Sequence, residues 1–156
     1  VRINEWQTDR FFQNILHELF NTLAGKTITM LGFAFKQDTG DTRDSPAIPL
    51  CEKLVGENAR VRIHDPKALE NARIELKNLK GDVSFVEDVY EAADGAHALA
   101  LVTQWDEYRE LDYEKIHQTM AEPAFIFDGR NHLDHDKLYK IGFNVFPLGR
   151  SPLKHI

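Results

Sequence analysis

The sequence predicts an α/β protein with a Rossmann-like, doubly wound and mostly parallel sheet of about five strands, preceded by a long N-terminal helix. Three observations predict this fold: an apolar stripe with helical spacing near the start, short apolar runs after it, and amphipathic segments between those runs. The 156 residues fit one ordinary domain with a core of its own.

The opening segment has the periodicity of a helix, because its apolar side chains recur as adjacent pairs about every four residues. These side chains are Phe11, Phe12, Ile15, Leu16, Leu19, Phe20 and Leu23. Gly25 is the predicted C-cap. Such a stripe is wider than one sheet face or one neighbouring helix would cover, so we expect part of it to stay exposed and to mediate self-association. The alternative is that the helix folds back and covers its own sheet.

The predicted strands are short apolar runs at residues 27–31, 60–63, 98–102, 124–127 and 143–146. The predicted helices are amphipathic segments at residues 46–56, 68–79, 89–93, 113–120 and 135–141. Apolar runs separated in this way indicate parallel strands joined by crossover helices.

Composition argues against several kinds of partner. The net charge of -6 disfavours nucleic acid and anionic membrane surfaces, so a bound anion must be held by a few locally placed cations. No apolar run approaches the roughly 20 residues that span a bilayer. A single cysteine, Cys51, cannot form an internal disulfide and favours the reducing cytoplasm. Because the chain begins at Val1, we expect an excised or processed piece of a longer protein.

The loop after the first strand, residues 32–46, is the first candidate site, since such sheets bind ligands beyond the carboxyl ends of their strands. It lacks the glycine fingerprint of a dinucleotide site, because Ala34 and Gln37 stand where glycines are needed. Its cations, Lys36 and Arg43, either bind a phosphate ester or are solvated and paired with nearby aspartates.

The helix after this loop is predicted to start with Ser45 as N-cap and Pro46 as the first helical residue. An anion at that helix terminus would gain from the free N–H groups and the helix dipole.

Two more segments follow strands at the same predicted edge. Asp65 stands where many NAD domains bind a ribose, but without the fingerprint glycines a turn is favoured. Arg130 follows the tight turn predicted at Asp128-Gly129, and it either recognises phosphate in a bidentate manner or is solvated.

A cluster of His132, Asp134, His135 and Asp136 invites a metal interpretation. Its spacing matches no recognised metal site, and Asp134 is explained as a helix N-cap, so we predict no metal.

The segment GFAFKQDTGDTRDSP at residues 32–46 resembles the signature loop of the UDP-binding C-terminal domain in the UDP-glucose/GDP-mannose dehydrogenase family. HDPK at 64–67, YEAADGAHA at 90–98 and FDGR at 127–130 agree with that domain in order and approximate spacing. TGDTR at 39–43 is similar to the UDP-glucose branch of the family. The resemblance covers nearly the whole chain.

The resemblance implies a parent enzyme that oxidises UDP-glucose to UDP-glucuronate and reduces two NAD⁺. In such enzymes an N-terminal Rossmann domain holds NAD and a central domain supplies the catalytic residues, so no catalytic residue is expected in this chain. It further implies that residues 1–24 are a linker helix from the central domain and that residues 25–156 are the UDP-binding domain. A cytoplasmic, homo-oligomeric parent is expected.

By matching motif positions, the resemblance assigns Phe35, Lys36 and Arg130 to the nucleotide sugar and Arg43 to the NAD across a cleft between domains. Two alternatives stay open. One is a free-standing nucleotide-binding or regulatory module, and the other is the same domain from a dehydrogenase of another UDP-sugar.

Overall fold

The computed structural model describes residues 2–34, 39–43 and 45–156, with the side chains of residues 2–7 left aside. Two predicted site residues, Phe35 and Lys36, lie outside the described residues.

Strands and helices alternate along the chain. The strands are β1 (Thr27–Leu31), β2 (Arg60–His64), β3 (Val83–Phe85), β4 (Ala98–Leu101), β5 (Phe125–Asp128) and β6 (Asn144–Pro147). The helices are α1 (Arg2–Glu18), α2 (Ala47–Gly56), α3 (Leu69–Glu75), α4 (Val89–Ala93), α5 (Tyr113–Thr119) and α6 (His135–Ile141), with a 3₁₀ turn at Asp106–Arg109. In this described part, every helix is too short or too polar to cross a bilayer.

All strand pairs are parallel, and the order across the sheet is β3-β2-β1-β4-β5-β6. Ile28 in β1 pairs with Val61 on one side and with Ala98 on the other, so strand order reverses between β1 and β4. The predicted doubly wound α/β fold is confirmed. The sheet has six strands rather than about five. The additional strand, β3 at the edge, was not predicted because it has only three residues, is half-exposed and gives no apolar run.

The sheet carries a hydrophobic layer on each face. Helices α1, α2 and α3 pack on one face, and α4, α5 and α6 pack on the other. Every residue of β1, β4 and β5 is buried, which explains why these runs are continuously apolar instead of alternating.

Helix α1 covers the strands that α5 and α6 leave bare, because those two helices both lie on the opposite face. Its side chains Phe12, Ile15 and Leu19 belong to the core, and Phe11 packs edge-on against the ring of Phe127 with centroids 6.5 Å apart. Of the predicted stripe, Phe20 alone is largely exposed, at 65 %. Most of the stripe therefore covers the helix's own sheet, which is the alternative stated above. Self-association through the exposed part stays a prediction.

The C-terminus of α1 also differs from the prediction. The helix ends at Glu18, well before Gly25, so Gly25 is not its C-cap. Asn21 takes a left-handed conformation with φ of 61°, and its N–H donates to the carbonyl of Leu16 at 2.9 Å. Lys26 Nζ donates to two main-chain carbonyls near this end at 2.7 and 2.8 Å, as cations do at helix C-termini.

The last residues form an ordered return along the outer edge of β6. Val145 and Leu153 exchange main-chain hydrogen bonds of 2.8 and 2.9 Å, and the His155 ring stacks on Tyr139 with centroids 4.1 Å apart. This return covers part of an edge that would otherwise expose unpaired main-chain groups.

Candidate functional site

The candidate site lies at the carboxyl ends of β4 and β5, beside the point where strand order reverses. A small crevice of about 50 Å³ opens there. Its lining comprises Thr8, Phe11, Pro46, Leu101, Val102, Gly129, Arg130 and Leu148. Strand ends, the start of α2 and one predicted site residue therefore meet at this point.

Gly32 allows the loop after β1 to approach the loop after β4. Its φ is +99°, and a Cβ atom at this position would lie 2.5 Å from the Cβ of Thr103. Thr103 Oγ1 also donates to the carbonyl of Ala34 at 2.8 Å. This glycine is thus required by contact between two loops, in addition to its left-handed backbone.

Asp65 is a buried structural carboxylate at the end of β2, 3 % exposed. Its Oδ2 accepts N–H groups from Phe33 and Ala34 at 2.7 and 2.9 Å, and its Oδ1 accepts two more from the following turn at 2.8 Å each. The indole Nε1 of Trp105 adds a fifth bond at 3.1 Å. Asp65 therefore holds a turn, as the missing glycines suggested, and its oxygens are occupied by the protein.

The N-terminus of α2 follows the prediction within one residue. Helix α2 begins at Ala47, and the Ala47 N–H donates to Ser45 Oγ at 3.1 Å. Ser45 Oγ donates in turn to the carbonyl of Phe33 at 2.7 Å. This buried hydroxyl joins the helix start to the end of β1, and Pro46 lines the crevice.

Arg43 lies at the surface, with 84 % of its side chain exposed. Its Nη2 and Nε contact the two carboxylate oxygens of Asp41 at 2.9 and 3.1 Å. The sequence left open that Arg43 pairs with a nearby aspartate, and the structure has that pair. Exposed ion pairs contribute about 0–1 kcal/mol, so Arg43 can exchange this partner for another anion at little cost.

Arg130 is held at two points and directed at the crevice. Its main-chain N–H donates to Asp128 Oδ1 at 3.0 Å, and its Nε donates to the carbonyl of Val102 at 2.8 Å. Within the described part of the chain, neither Nη nitrogen has a protein partner. Partial burial lowers the pKa of the Arg130 guanidinium from its ordinary value. An arginine side chain keeps its charge in proteins at neutral pH.

Asp128 is the residue that sequence reasoning undervalued. The tight turn predicted at Asp128-Gly129 is present, with the Arg130 N–H bonded to Asp128 Oδ1, but Asp128 also ends β5 and is fully buried. Its Oδ2 accepts the N–H groups of His132 and Leu133 and the Nε2 of His135, at 2.8, 2.9 and 2.8 Å. The available signal was an acidic residue directly after a continuous apolar run, where burial demands several donors.

The side chains of the histidine and aspartate cluster after Asp128 form hydrogen bonds within the protein. Asp134 Oδ1 accepts the N–H of Lys137 at 3.2 Å and caps α6 as predicted. Residues 2–34, 39–43 and 45–156 contain no group of three or more side chains placed to hold a metal ion.

A larger groove of about 390 Å³ adjoins the crevice and shares Phe11 and Leu148 with it. Arg10 and Arg150 add positive charge to its walls. A groove of about 800 Å³ between α5 and α6 contains none of the predicted site residues. Arg10 and Arg150 therefore lie in a groove that adjoins the crevice of Arg130.

The strand order and the crevice at the switch point define the chain as a Rossmann-like domain of the nucleotide-binding class. Residues 29–135 match the model of the UDP-glucose/GDP-mannose dehydrogenase family, UDP binding domain. The chain belongs to this family.

Similar proteins agree with this assignment. The chain is 46% identical to UDP-glucose 6-dehydrogenase 2 of Oryza sativa subsp. japonica, over 99% of this chain and 36% of that protein. UDP-glucose 6-dehydrogenase 1 of Arabidopsis thaliana is 41% identical over 96% of this chain and 35% of its own length. The chain thus spans about a third of the length of these relatives.

Solved structures share the fold. A UDP-glucose dehydrogenase from the archaeon Pyrobaculum islandicum superposes with a TM-score of 0.73 at 30% identity, over 94% of this chain and 30% of that one. The NDP-N-acetyl-D-galactosaminuronic acid dehydrogenase of Methanosarcina mazei Go1 superposes with a TM-score of 0.76 at 25% identity, over 94% and 29%. The fold is therefore common to dehydrogenases of different nucleotide sugars.

Proposed function

We propose that this chain binds the UDP part of the substrate within a longer, NAD-dependent UDP-glucose 6-dehydrogenase, which oxidises UDP-glucose to UDP-glucuronate with two NAD⁺. The match to the UDP-binding domain and the relatives named UDP-glucose 6-dehydrogenase support this proposal. Because the chain spans 36% of such a relative, other domains would supply the NAD site and the catalytic residues.

The division of the chain belongs to the same proposal. Residues 1–24 would lead from a central domain, and residues 25–156 would form the UDP-binding domain. The packing of α1 on the sheet supports a stiff connection rather than a loose linker, since Ile15 and Leu19 are core residues. A stiff connection would keep the two domains in a fixed relation around the substrate.

One observation carries the proposal: the guanidinium of Arg130 and the N-terminus of α2 line the same crevice at the carboxyl edge of the sheet. A diphosphate brings negative charge that a planar guanidinium favours, and the positive end of the α2 dipole adds to the attraction. The start of α2 contributes no free N–H, because Pro46 and Pro49 have none and those of Ala47 and Ile48 bond Ser45. The chain as a whole is net acidic, at -6, so the attraction must be local. Lys36 and Phe35, by their motif positions, would complete the contact.

The size of the crevice supports a site shared between domains. Pockets for small molecules occupy about 300–1,000 Å³ and often lie between domains. The crevice of about 50 Å³ is too small to enclose a nucleotide, so a second domain would form the opposite wall. Binding energy from the remote UDP would then hold the sugar C6 near the nicotinamide.

Substitution of the proposed phosphate ligands tests the function. In the longer protein, we expect Arg130→Ala and Lys36→Ala each to raise the Kd for UDP-glucose about 10- to 150-fold, since a charged hydrogen bond contributes roughly 1.5–3 kcal/mol. Arg130→Lys should recover only part of the affinity for UDP-glucose, because a lysine cannot bind the phosphate in a bidentate manner. Isothermal titration calorimetry measures the Kd values.

Arg60→Ala is the matched control, because Arg60 begins β2 at the opposite edge of the sheet and is exposed beside Asp82. This variant should bind UDP-glucose like the unsubstituted protein. An unchanged Kd in both Arg130→Ala and Lys36→Ala would show that the phosphates bind elsewhere.

Arg43 is proposed to contact NAD across the domain cleft, and its exposure supports access from another domain. In the longer protein, Arg43→Ala should raise the KM for NAD⁺ more than the KM for UDP-glucose. Steady-state kinetics with each substrate varied in turn measures both values. A loss confined to UDP-glucose would instead group Arg43 with Lys36.

The sugar specificity, the compartment and the assembly of the parent are proposals as well. The identities of 41% and 46% to UDP-glucose 6-dehydrogenases favour UDP-glucose over another UDP-sugar. We propose a cytoplasmic homo-oligomer. Turnover of the longer protein on a panel of UDP-sugars tests the specificity, and a preference for another sugar would contradict it. Cell fractionation tests the compartment, and recovery in a membrane fraction would contradict it. Sedimentation tests the assembly, and a monomer would contradict it.

A further inference from the structure

The two buried carboxylates behind the crevice, Asp65 and Asp128, each collect donors from several segments of the chain. Asp65 is 3 % exposed and accepts five hydrogen bonds, and Asp128 is 0 % exposed and accepts four. Neither carboxylate has an oxygen left for a ligand. Their donors include the two residues that precede the predicted Phe35-Lys36 contact and the main chain of Arg130.

Trp105 and His132 join the two carboxylates into one network. Trp105 Nε1 donates to Asp65 at 3.1 Å, and the Trp105 carbonyl accepts His132 Nε2 at 3.0 Å. The main-chain N–H of His132 then donates to Asp128 at 2.8 Å. A continuous series of hydrogen bonds thus runs along the carboxyl edge of the sheet, from the loop after β1 to Arg130.

We infer that Asp128 is a positioning residue that, through this network, fixes the main chain of Arg130 and its distance from the loop after β1. The inference rests on the proposed function in one respect, namely that Arg130 is a phosphate ligand. Arg130 has two anchors, its N–H on Asp128 and its Nε on the Val102 carbonyl. Loss of the bond to Asp128 would let Arg130 shift, and the shift would weaken its bond to the Val102 carbonyl.

An Asp128→Asn substitution isolates this role by its geometry. One carboxylate oxygen becomes an NH₂ group, which repels the N–H groups that it faces. On the side of Oδ2 it would oppose the main-chain N–H groups of His132 and Leu133, whereas toward Arg130 it opposes one. The amide therefore settles with its nitrogen toward Arg130 and releases that main chain while the other bonds persist.

Two measurements test the inference. In this chain, NMR should show that Asp128→Asn makes hydrogen exchange of the Arg130 N–H and Nε–H at least about 10-fold faster. In the longer protein, the same substitution should raise the Kd for UDP about 10-fold. On an Arg130→Ala background, the same substitution should change the Kd less than about 2-fold, because its effect passes through Arg130.

Asp134→Asn is the matched control, since Asp134 caps α6 in the same segment and contacts only the Lys137 N–H. It should leave Arg130 exchange and the UDP Kd unchanged. Unchanged exchange in Asp128→Asn, or an equal loss of UDP affinity with and without Arg130, would overturn the inference.

The outcomes separate this inference from the proposed function. If Arg130→Ala in the longer protein binds UDP as tightly as the unsubstituted protein, the phosphate role fails while the exchange rates still decide the positioning role. If Asp128→Asn does not fold, the unsubstituted chain decides. Its Arg130 N–H, bonded to Asp128, should exchange at least about 10-fold more slowly than an unprotected amide of the same sequence, and an unprotected rate overturns the inference.

Discussion

At the scale of single residues, His97 ties the start of β1 to the start of β4. Its Nδ1 accepts the N–H of Thr27 at 3.1 Å, a bond that only an unprotonated Nδ1 can accept. Burial, together with the nearby charges of Lys26 and Arg60, lowers the pKa of His97 from its ordinary value of 6.5. The unfolded chain therefore binds a proton more readily than the folded chain.

The sign of the resulting pH dependence follows from this lowered pKa. Stability from neutral His97 is complete above the unfolded pKa of 6.5 and is lost as the pH falls through the folded value. We expect the free energy of unfolding to drop between pH 7.5 and pH 5, by at most about 1.4 kcal/mol per pH unit for this group. Urea denaturation across that range measures the drop.

A His97→Asn variant separates this residue from other titrating groups, because an amide oxygen replaces Nδ1 as acceptor and does not titrate. His64 is buried beside Tyr108, its pKa is also lowered, mainly by burial, and it contributes to the slope in both proteins. The variant should lose less stability on acidification. Equal slopes for the two proteins would contradict a role for His97.

At the scale of elements, α1 decides whether the fold is complete. Ile15 is fully buried in the core on the face that α1 covers, although the helix precedes the sheet in sequence. We expect Ile15→Ala to lower the free energy of unfolding by about 2–5 kcal/mol, the range for large-to-small changes in a core. Chemical denaturation followed by circular dichroism measures it.

Ile74→Ala is the control for this change, because Ile74 lies in α3, which packs on the same face of the sheet as α1, and is 62 % exposed. Its effect should stay within about 0.5 kcal/mol, as for most surface positions. If Ile15→Ala had an equally small effect, α1 would unfold separately from the sheet and would act as a detachable linker.

At the scale of the whole molecule, the proposal is that the chain forms one side of a binding cleft and that other domains supply the groups for the oxidation. Its single thiol, Cys51, is buried, and burial raises the pKa of that thiol to about 12, which makes it a poor nucleophile. The loop after β1 has Ala34 and Gln37 where a dinucleotide site needs glycines. This supports the proposal that other domains perform the oxidation.

The purified chain should therefore produce no NADH from UDP-glucose and NAD⁺. Absorbance at the NADH band, followed over a series of protein concentrations, measures this. Turnover that rises in proportion to the concentration of the chain would overturn the proposed division of labour between domains.

The sequence by itself determined the features that depend on neighbours a few residues apart. Apolar runs and amphipathic periods predicted five of the six strands and the helices between them, and Asp134 was correctly predicted as a helix cap. The loop motif at residues 32–46 was sufficient to indicate the family that residues 29–135 match. The short, half-exposed β3 was missed because three residues carry no periodicity.

Only the tertiary structure decided which faces and carboxylates are buried. The apolar stripe of α1 could not be assigned to a surface from the sequence. The face of β4 to β6 that α1 covers is available only because α5 and α6 pack on the opposite face. Asp65 and Asp128 became the supports of the site through donors up to 40 residues away, as in the bond from Trp105 to Asp65. Whether a carboxylate can be buried depends on hydrogen-bond donors from distant parts of the chain, and a local sequence pattern contains no information about those donors.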